Sequence, residues 1–430
     1  MTEKMKPSGI AWIGDIPTGW KVKKIKYYTY IVNGSTPDSS DLNCWDGPIK
    51  WITPADMDNT GIIYEGERTL TQYGYNSCGT SMLPKGSVVV SSRAPIGKIN
   101  ITGDVLCTNQ GCKSLVGETD NRYLYYLLLA GQEELVRLGR GTTFVELSTH
   151  DLSNFGIVLP ESAERTAIAD FLDIQCAKID SVIADIEKQI ETLQKYKKSL
   201  ITEAVTKGLD RSVPMKDSGI EWAQRIPAHW QTTRMQEVGK YKKGPFGSAI
   251  TLDMFIEKDE TAIKIYEQKN AIQGDATLGW YYISERDFGA LTDFEVFPGD
   301  IIVSCAGTIG KCYIMPETME RGIINQALMK ITLSDEVDRD YFLSLFDVAL
   351  EYMAEKYSNG SAIKNIPPFS VLKKQHIPLP NIEEQKKIAS YIRQKGGLLD
   401  DLLKEKTQQL QVMQDHKKSL IYEYVTGKNK

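Results

Sequence analysis

Lysines, short glycine-rich turns and asparagine–glutamine pairs recur in both halves of this 430-residue chain, and together they could contact DNA. Phosphate groups are bound by cations or by backbone N–H groups in glycine-rich turns, whereas base edges are read by arginine, lysine, asparagine or glutamine. Each candidate also has a structural alternative, because solvated lysines are common and Gly97-Lys98 and Gly310-Lys311 could simply close hairpins. The candidate DNA-binding residues are Lys24, Gly34, Ser35, Thr36, Arg93, Lys98, Asn109, Gln110, Lys242, Lys243, Gly244, Ser248, Lys311, Asn325 and Gln326.

One string, Asn365-Ile-Pro-Pro-Phe369, is close to a catalytic motif. Amino-methyltransferases that act on DNA use Asn or Asp directly before Pro-Pro-Tyr/Phe, where the polar side chain holds the target amine and the ring stacks on the base. Here Ile366 separates the asparagine from the prolines, and no glycine-rich loop for a nucleotide cofactor precedes the string at a suitable spacing. The equivalent stretch of the first half, residues 145–150, contains no Pro-Pro. We therefore interpret the string as a loop.

Metal and nucleotide chemistry find little support in the sequence. The seven cysteines, at 44, 78, 107, 112, 176, 305 and 312, form no Cys-x-x-Cys pair, and the four histidines, at 150, 229, 376 and 416, are scattered. Buried thiols explain such cysteines better than a zinc site does. Neither a GxxxxGK[ST] phosphate loop nor a carboxylate cluster followed by Glu-x-Lys is found. The sequence predicts no catalytic residue and no metal ligand.

The composition indicates a folded protein of two or slightly more domains, with 41% apolar residues, 25% charged residues and a net charge of −5. This charge argues against a wholly basic nucleic-acid coat, but it allows one basic face balanced by acidic helices. No apolar run approaches the roughly 20 residues that span a bilayer, and residues 1–12 lack a signal-peptide stretch. The expected location is cytoplasmic, away from a membrane.

An internal repeat decides the architecture. Residues 5–20 (MKPSGIAWIGDIPTGW) and 215–230 (MKDSGIEWAQRIPAHW) share nine of 16 positions, and GSVVVSSRAPIGK at 86–98 pairs with GDIIVSCAGTIGK at 299–311. Both Leu159-Pro160 and Leu379-Pro380 open helical stretches, and these reach Lys-Lys-Ser-Leu-Ile at 197–201 and 417–421, at the same distance from each opening. The chain is therefore a tandem duplication of a globular module followed by a long helix.

The modules are predicted to be β-rich and mixed with short helices. β-Branched runs such as Val88-Val89-Val90 and Ile301-Ile302-Val303 are typical of buried strands, and apolar spacing predicts short helices at 121–138 and 339–356. The predicted division is a recognition domain at 1–158, a long helix at 159–207, a second recognition domain at 208–378 that begins with a linker at 208–214, and a second long helix at 379–430.

The two long helices give the strongest physical signal. Between 164 and 204 there is no proline or glycine, and apolar residues follow a heptad frame, which favours a coiled coil about 60 Å long. Lys197 interrupts one series of the first helix, while Gly396, Lys406 and Lys417 weaken the second. An ordinary amphipathic helix packed on its own domain is the alternative. The predicted seam consists of Leu172, Ile179, Ile183, Ile186, Ile190, Leu193, Leu200, Ile392, Leu399, Leu403, Leu410, Met413 and Leu420.

Connectivity predicts the direction of the helix pair. The first helix leaves module one and ends near module two, so a short linker makes the second helix run back toward module one. The predicted fold class is α+β: two similar β-rich mixed target-recognition domains held apart by an antiparallel coiled coil of two long helices, in a pseudo-two-fold tandem repeat. Two modules on one rigid spacer suit the recognition of two sites on a long ligand such as duplex DNA.

With these features assembled, the chain resembles the specificity subunit of type I restriction–modification systems over essentially its full length. The marks of the resemblance are the ordered strings IPTGW and IPAHW at 16–20 and 226–230, GSTP at 34–37 before WITPADM at 51–57, SSRAPIGK at 91–98, and FGIVLP and QHIPLP at 155–160 and 375–380. The helices that follow begin with Glu164-Arg165 and Glu383-Glu384-Gln385. The segment GSTPDSSDLNCWDG has no clear counterpart after Lys243, and Arg93 faces Ala306, so the two modules are expected to read different half-sites.

The resemblance implies a non-catalytic subunit for host defence that binds double-stranded DNA and reads a bipartite target. It also implies two methyltransferase subunits, which use S-adenosylmethionine, and two restriction–translocation subunits, which use ATP and Mg. The chain itself is expected to hold no cofactor. Two alternatives remain at this point: a protein–protein scaffold without a nucleic-acid role, and a fused DNA methyltransferase whose active site has no recognisable motif.

Overall fold

The computed structural model describes residues 4–58, 61–117, 121–140, 145–357 and 369–429, and its internal contacts divide the chain into two units. Unit 1 comprises Met1–Lys188 and Thr407–Lys430, and unit 2 comprises Gln189–Lys406. Each unit thus combines one globular half of the chain with one segment from each long helix. The predicted fold class, a tandem repeat of mixed helix and strand modules with a long helix between them, is confirmed.

The first half of the chain, residues 1–207, alternates short strands and helices before its long helix. Its strands are β1 Met5–Pro7, β2 Asp15–Pro17, β3 Lys21–Lys24, β4 Tyr30–Asn33, β5 Trp45–Ile52, β6 Gly61–Ile63, β7 Thr69–Leu70, β8 Val88–Ser91, β9 Ile99–Thr102, β10 Cys107–Thr108, β11 Cys112–Val116 and β12 Gly156–Leu159. Its helices are α1 Gln72–Asn76, α2 Arg122–Ala130, α3 Gln132–Arg137, α4 Thr149–Asn154 and α5 Ser162–Lys207, with 3-10 helices at Ile25–Tyr27 and Leu42–Cys44.

The second half opens and closes with the same series of elements but differs from the first in the segment between residues 244 and 300. Its strands are β13 Met215–Asp217, β14 Arg225–Pro227, β15 Gln231–Arg234, β16 Gly239–Lys243, β17 Phe255–Ile256, β18 Ile263–Tyr266, β19 Tyr282–Ile283, β20 Glu295–Val296, β21 Ile301–Ser304, β22 Cys312–Ile314, β23 Gly322–Ile324, β24 Leu328–Leu333 and β25 His376–Leu379. Its helices are α6 Gln268–Gln273, α7 Glu285–Phe288, α8 Arg339–Tyr357, α9 Phe369–Lys374 and α10 Ile382–Val425, with 3-10 helices at Glu221–Ala223, Met235–Glu237, Gly247–Ala249, Leu252–Met254 and Thr292–Phe294.

Corresponding strands pair in the same way in the two units. The order β4-β11-β8-β9 in unit 1, which continues to β6, matches the order β16-β24-β21-β22 in unit 2. All pairs within these four-strand sets are antiparallel, with Ser114 opposite Val89 in unit 1 and Lys330 opposite Ile302 in unit 2. The strand pairs β1-β2 and β3-β12 are repeated as β13-β14 and β15-β25. The duplication seen in the sequence is therefore a duplication of sheet topology.

Each hydrophobic core combines a sheet, a helix after the sheet, and both long helices. In unit 1, Trp20 and Tyr123 are buried together with Leu172 of α5 and Val425 of α10. In unit 2, Trp230, Phe342 and Phe346 are buried together with Val205 of α5 and Ile388 of α10. Burial of these large apolar side chains is the main stabilising contribution to each unit.

The long helices run antiparallel within each unit. In unit 1, Phe171 stacks on Tyr424 with ring centroids 4.4 Å apart, whereas Asp180, further along α5, pairs with Lys417, which comes earlier in α10. In unit 2, Lys197 pairs with Asp400, whereas Val205 and Ile388 share the core. All thirteen predicted seam residues lie in α5 or α10, and each is buried or half-buried.

Two of the lysines that interrupt the predicted seam form ion pairs between the long helices. The Nζ atom of Lys417 lies 2.6 Å from Oδ1 of Asp180 in unit 1, and Nζ of Lys197 lies 2.6 Å from Oδ1 of Asp400 in unit 2. The two lysines occupy the same position of the repeated Lys-Lys-Ser-Leu-Ile string, and the two aspartates are related by the same offset, so the ion pairs are equivalent members of the repeat. A polar pair of this kind in an apolar seam favours one helix register over its neighbours.

The repeated Ile-Pro-x-x-Trp strings receive the ends of the long helices. At the end of α10, Gly427 has a φ of +71° and lies against Pro17 and Trp20, while after α5, Gly208 has a φ of +70° and lies against Trp230. Glycine adopts this left-handed backbone without the penalty that a Cβ atom brings, and it commonly ends helices. The strings IPTGW and IPAHW are therefore docking platforms for helix ends, a role that the sequence alone did not indicate.

Candidate nucleic-acid interface

The candidate residues of the first half converge at one end of the strands of the five-stranded sheet β4-β11-β8-β9-β6 of unit 1. We call this end of the sheet, and the equivalent end in unit 2, the sheet edge. Because the strands are antiparallel, β4 and β8 end at the edge where β11 and β9 begin. The segments that leave this edge are 34–36, 109–111 and 92–98, which together hold every first-half candidate except Lys24. In unit 2 the ends of β16 and β21 and the starts of β24 and β22 place the segments 244–248, 325–327 and 305–311 at the corresponding edge.

Glycine is required where two of these segments touch. A Cβ atom at Gly34 would collide with the carbonyl oxygen of Asn109, and a Cβ atom at Gly244 would collide in the same way with Asn325. The N–H of Ser35 donates to the carbonyl oxygen of Thr108 at 2.9 Å. The structure thus brings together the glycine turns and the asparagine–glutamine pairs, which the sequence treated as separate candidates.

The asparagines shape this edge, and the glutamines face solvent. The side-chain oxygen of Asn109 accepts a hydrogen bond from the N–H of Gly111 at 2.9 Å, and that of Asn325 accepts one from Ala327 at 3.0 Å. Gln110 and Gln326 are both exposed, and the Gln110 side chain contacts the hydroxyl of Thr36. An amide held at a sheet edge in this way can offer both a donor and an acceptor to a base edge.

The segments 92–98 and 305–311 close hairpins in the same manner. The hydroxyl oxygen of Ser91 accepts a hydrogen bond from the N–H of Lys98 at 2.8 Å, and Ser304 accepts one from Lys311 at 2.9 Å. The ammonium group of Lys98 donates to the carbonyl oxygen of Pro54 at 2.9 Å, whereas Lys311 is exposed. Hairpin closure uses the backbone of both lysines, so an exposed ammonium group at Lys311 is available to a phosphate.

The charges around the two edges differ. Arg93 pairs with Glu146 at 3.1 Å, and Ala306 occupies the corresponding position of unit 2. Lys242 pairs with Asp293 at 2.6 Å, and its hydrogen bond lowers the pKa of that carboxyl. Lys243 is exposed beside it. The backbone frame is therefore shared, while the side chains it presents are not.

Lys24 lies away from the sheet edge, and Ser248 is the last residue of the segment 244–248 that leaves it. Lys24 belongs to β3, which pairs with β12 in a separate two-stranded sheet, and its Nζ atom donates to Oδ1 of Asn154 at 3.3 Å. Ser248 lies in the 3-10 helix Gly247–Ala249 and is exposed.

The segments that follow Gly34 and Gly244 correspond to each other in a way that was not predicted from the sequence. Leu42 begins the 3-10 helix Leu42–Cys44 and Leu252 begins the 3-10 helix Leu252–Met254. Each leucine follows its glycine at the same distance, so the two segments share the offset that also relates Trp20 to Trp230. That constant offset was the available signal, although the letters between the landmarks are dissimilar.

The described part of the chain also bears on metal binding, thiol reactivity and membrane insertion. Within those ranges no group of three His, Cys, Asp or Glu side chains is placed to hold a metal ion. Asn365–Pro368 of the Pro-Pro string fall outside the described residues. Burial raises the pKa of the Cys176 thiol to about 11 and that of Cys112 to about 12. In the helices described here, none is long and apolar enough to cross a membrane.

Comparison with known proteins gives consistent matches. The family model for the type I restriction modification DNA specificity domain matches this chain twice, over residues 17–192 and 227–412. The type I restriction enzyme MjaIX specificity subunit of Methanocaldococcus jannaschii is 34% identical over 294 residues, a match that spans 66% of this chain and 65% of that subunit, slightly less than two thirds of its length. The putative type I restriction enzyme MjaX specificity subunit of the same organism is 24% identical over 97% of this chain and 95% of that one.

A solved structure shares the fold. It comes from work on complex assembly and conformational transition of the type I R-M system, and it matches 95% of this chain and 98% of its own chain with a TM-score of 0.71 at 15% identity. At this identity the likeness concerns the fold alone.

Proposed function

This chain belongs to the type I restriction–modification DNA specificity family, and we propose that its two units each read one half of a bipartite double-stranded DNA target. The observation that carries the proposal is the repeated edge at which a glycine packs against an asparagine turn and a neighbouring glutamine faces solvent. The same backbone frame with different side chains is suited to reading two different short sequences. Arg93 and its counterpart Ala306 are one such difference.

Both edges offer amides for base readout, and the edge of unit 2 also offers exposed lysines for phosphate contact, the two kinds of contact that DNA recognition needs. Gln110 and Gln326 present amides for base edges, and the exposed Lys243 and Lys311 present cations for phosphates. On this proposal, the candidate side chains within residues 1–158 read one half-site, and those within residues 208–378 read the other. The helices at 159–207 and 379–430 form the spacer that fixes the distance between the half-sites.

We further propose that the chain acts without catalysis inside a larger complex. Its partners would be two methyltransferase subunits that use S-adenosylmethionine and two restriction–translocation subunits that use ATP and Mg. The family membership and the names of the relatives as restriction-enzyme specificity subunits support this assignment. Genomic DNA as the target would place the complex in the cytoplasm.

The test is a binding measurement on the full chain co-purified with its methyltransferase subunits. Methylated adenines mapped in the source genome supply the target, and a mobility shift compares that duplex with a scrambled duplex over a series of salt concentrations. We expect tight binding to the target that weakens steeply with salt, because phosphate contacts release counterions. Equal binding to both duplexes would overturn the proposal, and no binding to either duplex would favour a scaffold. Methyl transfer from labelled S-adenosylmethionine by the pure chain would indicate a fused methyltransferase.

A further inference from the structure

Leu42 and Leu252 expose their side chains to solvent in equivalent places of the two units. Their exposed fractions are 84% and 85%, far above those of the leucines that form the cores. Each begins a 3-10 helix at the same distance after the glycine of its sheet edge. A leucine exposed to water does not gain the stabilisation that burial of its side chain would provide. The same loss of stabilisation recurs in both halves of the duplication. Single exposed apolar residues are common on protein surfaces, but this exposure recurs at equivalent positions of both halves, and the recurrence indicates a binding role.

The turns that carry the leucines are anchored by their neighbours. In unit 1, Cys44 and Trp45 are buried, and the indole N–H of Trp45 donates to the carbonyl oxygen of Asp38 at 3.2 Å. The carboxylate of Asp41 accepts a hydrogen bond from the N–H of Asn43 at 3.0 Å. The backbone around Leu42 is therefore held in place before any partner arrives, which lowers the entropic cost of binding.

In unit 2, different residues hold the turn around Leu252 in place. The N–H of Met254 donates to the carbonyl oxygen of Thr251 at 3.2 Å, and the side chains of Met254 and Phe255 pack against a core cluster that includes Ile263 and Ile283. Phe255 also stacks on Tyr281 with ring centroids 4.7 Å apart. These two residues after Leu252 point inward while the leucine points outward, as in unit 1.

We propose that Leu42 and Leu252 contact the apolar surface of the DNA bases, one leucine in each half-site; this inference rests on the proposed function. Both segments begin at the glycine turns beside Gln110 and Gln326, and each leucine follows its glycine by eight residues, so on this proposal the leucines lie within reach of DNA bound at the edge. The residues around the leucines differ between the units, whereas the leucine itself recurs. A feature common to two readers of different sequences performs a step that both half-sites share.

An apolar wedge at a base step is the contact that fits this requirement. Leucine is among the side chains that insert between stacked bases and kink the duplex, and every base step presents apolar faces once it opens. Contact with a thymine methyl group involves the same apolar chemistry, but it would depend on the sequence of each half-site. The two contacts differ in what they do to base stacking, so they can be separated experimentally.

The experiment uses the full chain with its methyltransferase subunits and the mapped target duplex. Leu42→Ala and Leu252→Ala should each weaken binding about tenfold, because a leucine that is buried in the complex contributes roughly that much. Leu42→Met and Leu252→Met, which keep an apolar side chain of similar size, should stay close to wild type. Leu398→Ala is the matched control, since Leu398 is also exposed, at 56%, but lies on α10.

Two modified duplexes then identify the contact. With 2-aminopurine placed at successive positions of a half-site, wedge insertion should raise fluorescence at one step on binding of wild type, and the rise should vanish with the alanine variant of that unit alone. With uracil in place of each thymine, loss of binding at one position would assign a methyl contact instead. Unchanged affinity of both alanine variants, with a wild-type complex that binds its target, would overturn this inference and leave the proposed function intact. A wild-type complex that does not select its target would overturn both.

Discussion

The hydroxyl of Tyr123 ties the end of α10 to the core of unit 1, and its removal should loosen that end. Tyr123 is 1% exposed, and its single hydroxyl proton is shared between the carbonyl oxygens of Val425, at 2.9 Å, and Val158, at 3.1 Å. Val425 is the last residue of α10, so its carbonyl has no partner within the helix. In Tyr123→Phe these buried acceptors lose their donor, which should destabilise unit 1 by about 1–3 kcal/mol.

Hydrogen exchange in residues 420–427 measures this effect directly. If the end of α10 opens locally, exchange there should accelerate by roughly 5- to 140-fold, because each 1.4 kcal/mol is a factor of ten. Tyr341→Phe is the matched control: Tyr341 is also fully buried, and its hydroxyl donates to the carbonyl oxygen of Pro378 at 3.2 Å. The control should destabilise unit 2 and leave exchange at 420–427 unchanged.

The contribution of the Tyr123 hydroxyl to the stability of unit 1 should not vary with pH across the neutral range. Burial raises the pKa of Tyr123 well above its ordinary value, so the folded chain holds the phenol proton more tightly than the unfolded chain does. A raised pKa means that the stabilisation is complete below the unfolded pKa of about 10 and is lost only as pH rises toward the folded value. Equal exchange rates for wild type and Tyr123→Phe at 420–427 would show that the Tyr123 hydroxyl does not hold the end of α10 in place.

Three further predictions concern the helix pair, the sheet edges and the buried thiols. Lys417→Ala and Asp180→Ala should each lower the melting temperature, with a coupling of about 0.2–1 kcal/mol by double-mutant cycle because the pair is partly exposed. Zero coupling would show that the ion pair does not stabilise the pairing of the two helices. Lys311→Glu should weaken binding to every duplex and reduce the salt slope by about one unit, whereas Lys98→Glu should also lower thermal stability by removing the tether to Pro54; an unchanged salt slope for Lys311→Glu would leave that lysine with hairpin closure alone. Cys112 should resist iodoacetamide at about pH 8 in the folded chain, because burial raises its thiol pKa to about 12 and the reactive thiolate is scarce; rapid native-state alkylation followed by mass spectrometry would contradict its buried placement.

The large-scale architecture could be predicted because duplication leaves a record in the sequence. The matching positions of the two Lys-Lys-Ser-Leu-Ile strings, at 197–201 and 417–421, identified both long helices. The span predicted without proline or glycine, 164–204, lies inside α5 at Ser162–Lys207. Heptad spacing is a local property, so it predicts seam positions such as Leu172 and Leu399, both of which are buried, without tertiary information.

The pairings between distant segments could not be predicted in this way. Lys197 and Lys417 read as interruptions of the seam, because their partners Asp400 and Asp180 each lie in the other long helix, far away in sequence. The docking of Gly427 on Pro17 likewise joins two ends of the chain, and no local pattern encodes such a contact. The candidate residue types at the sheet edges can be seen in the sequence, but their convergence depends on strand order, which short strands specify weakly.

Exchange of one recognition domain tests the central claim, that each unit reads its own half of the target, most directly. In a chimera, the segment of a related specificity subunit that is equivalent to residues 1–158 would precede residues 159–430 of this chain. The Ile-Pro-x-x-Trp string and Tyr123 of this chain would be retained so that the end of α10 can pack against them. Methylated adenines would then be mapped in cells that express wild type or the chimera together with the methyltransferase subunits. The account predicts that one half of the methylated sequence changes, while the other half and the spacing between them stay the same. A change in both halves, or an unchanged target, would contradict it.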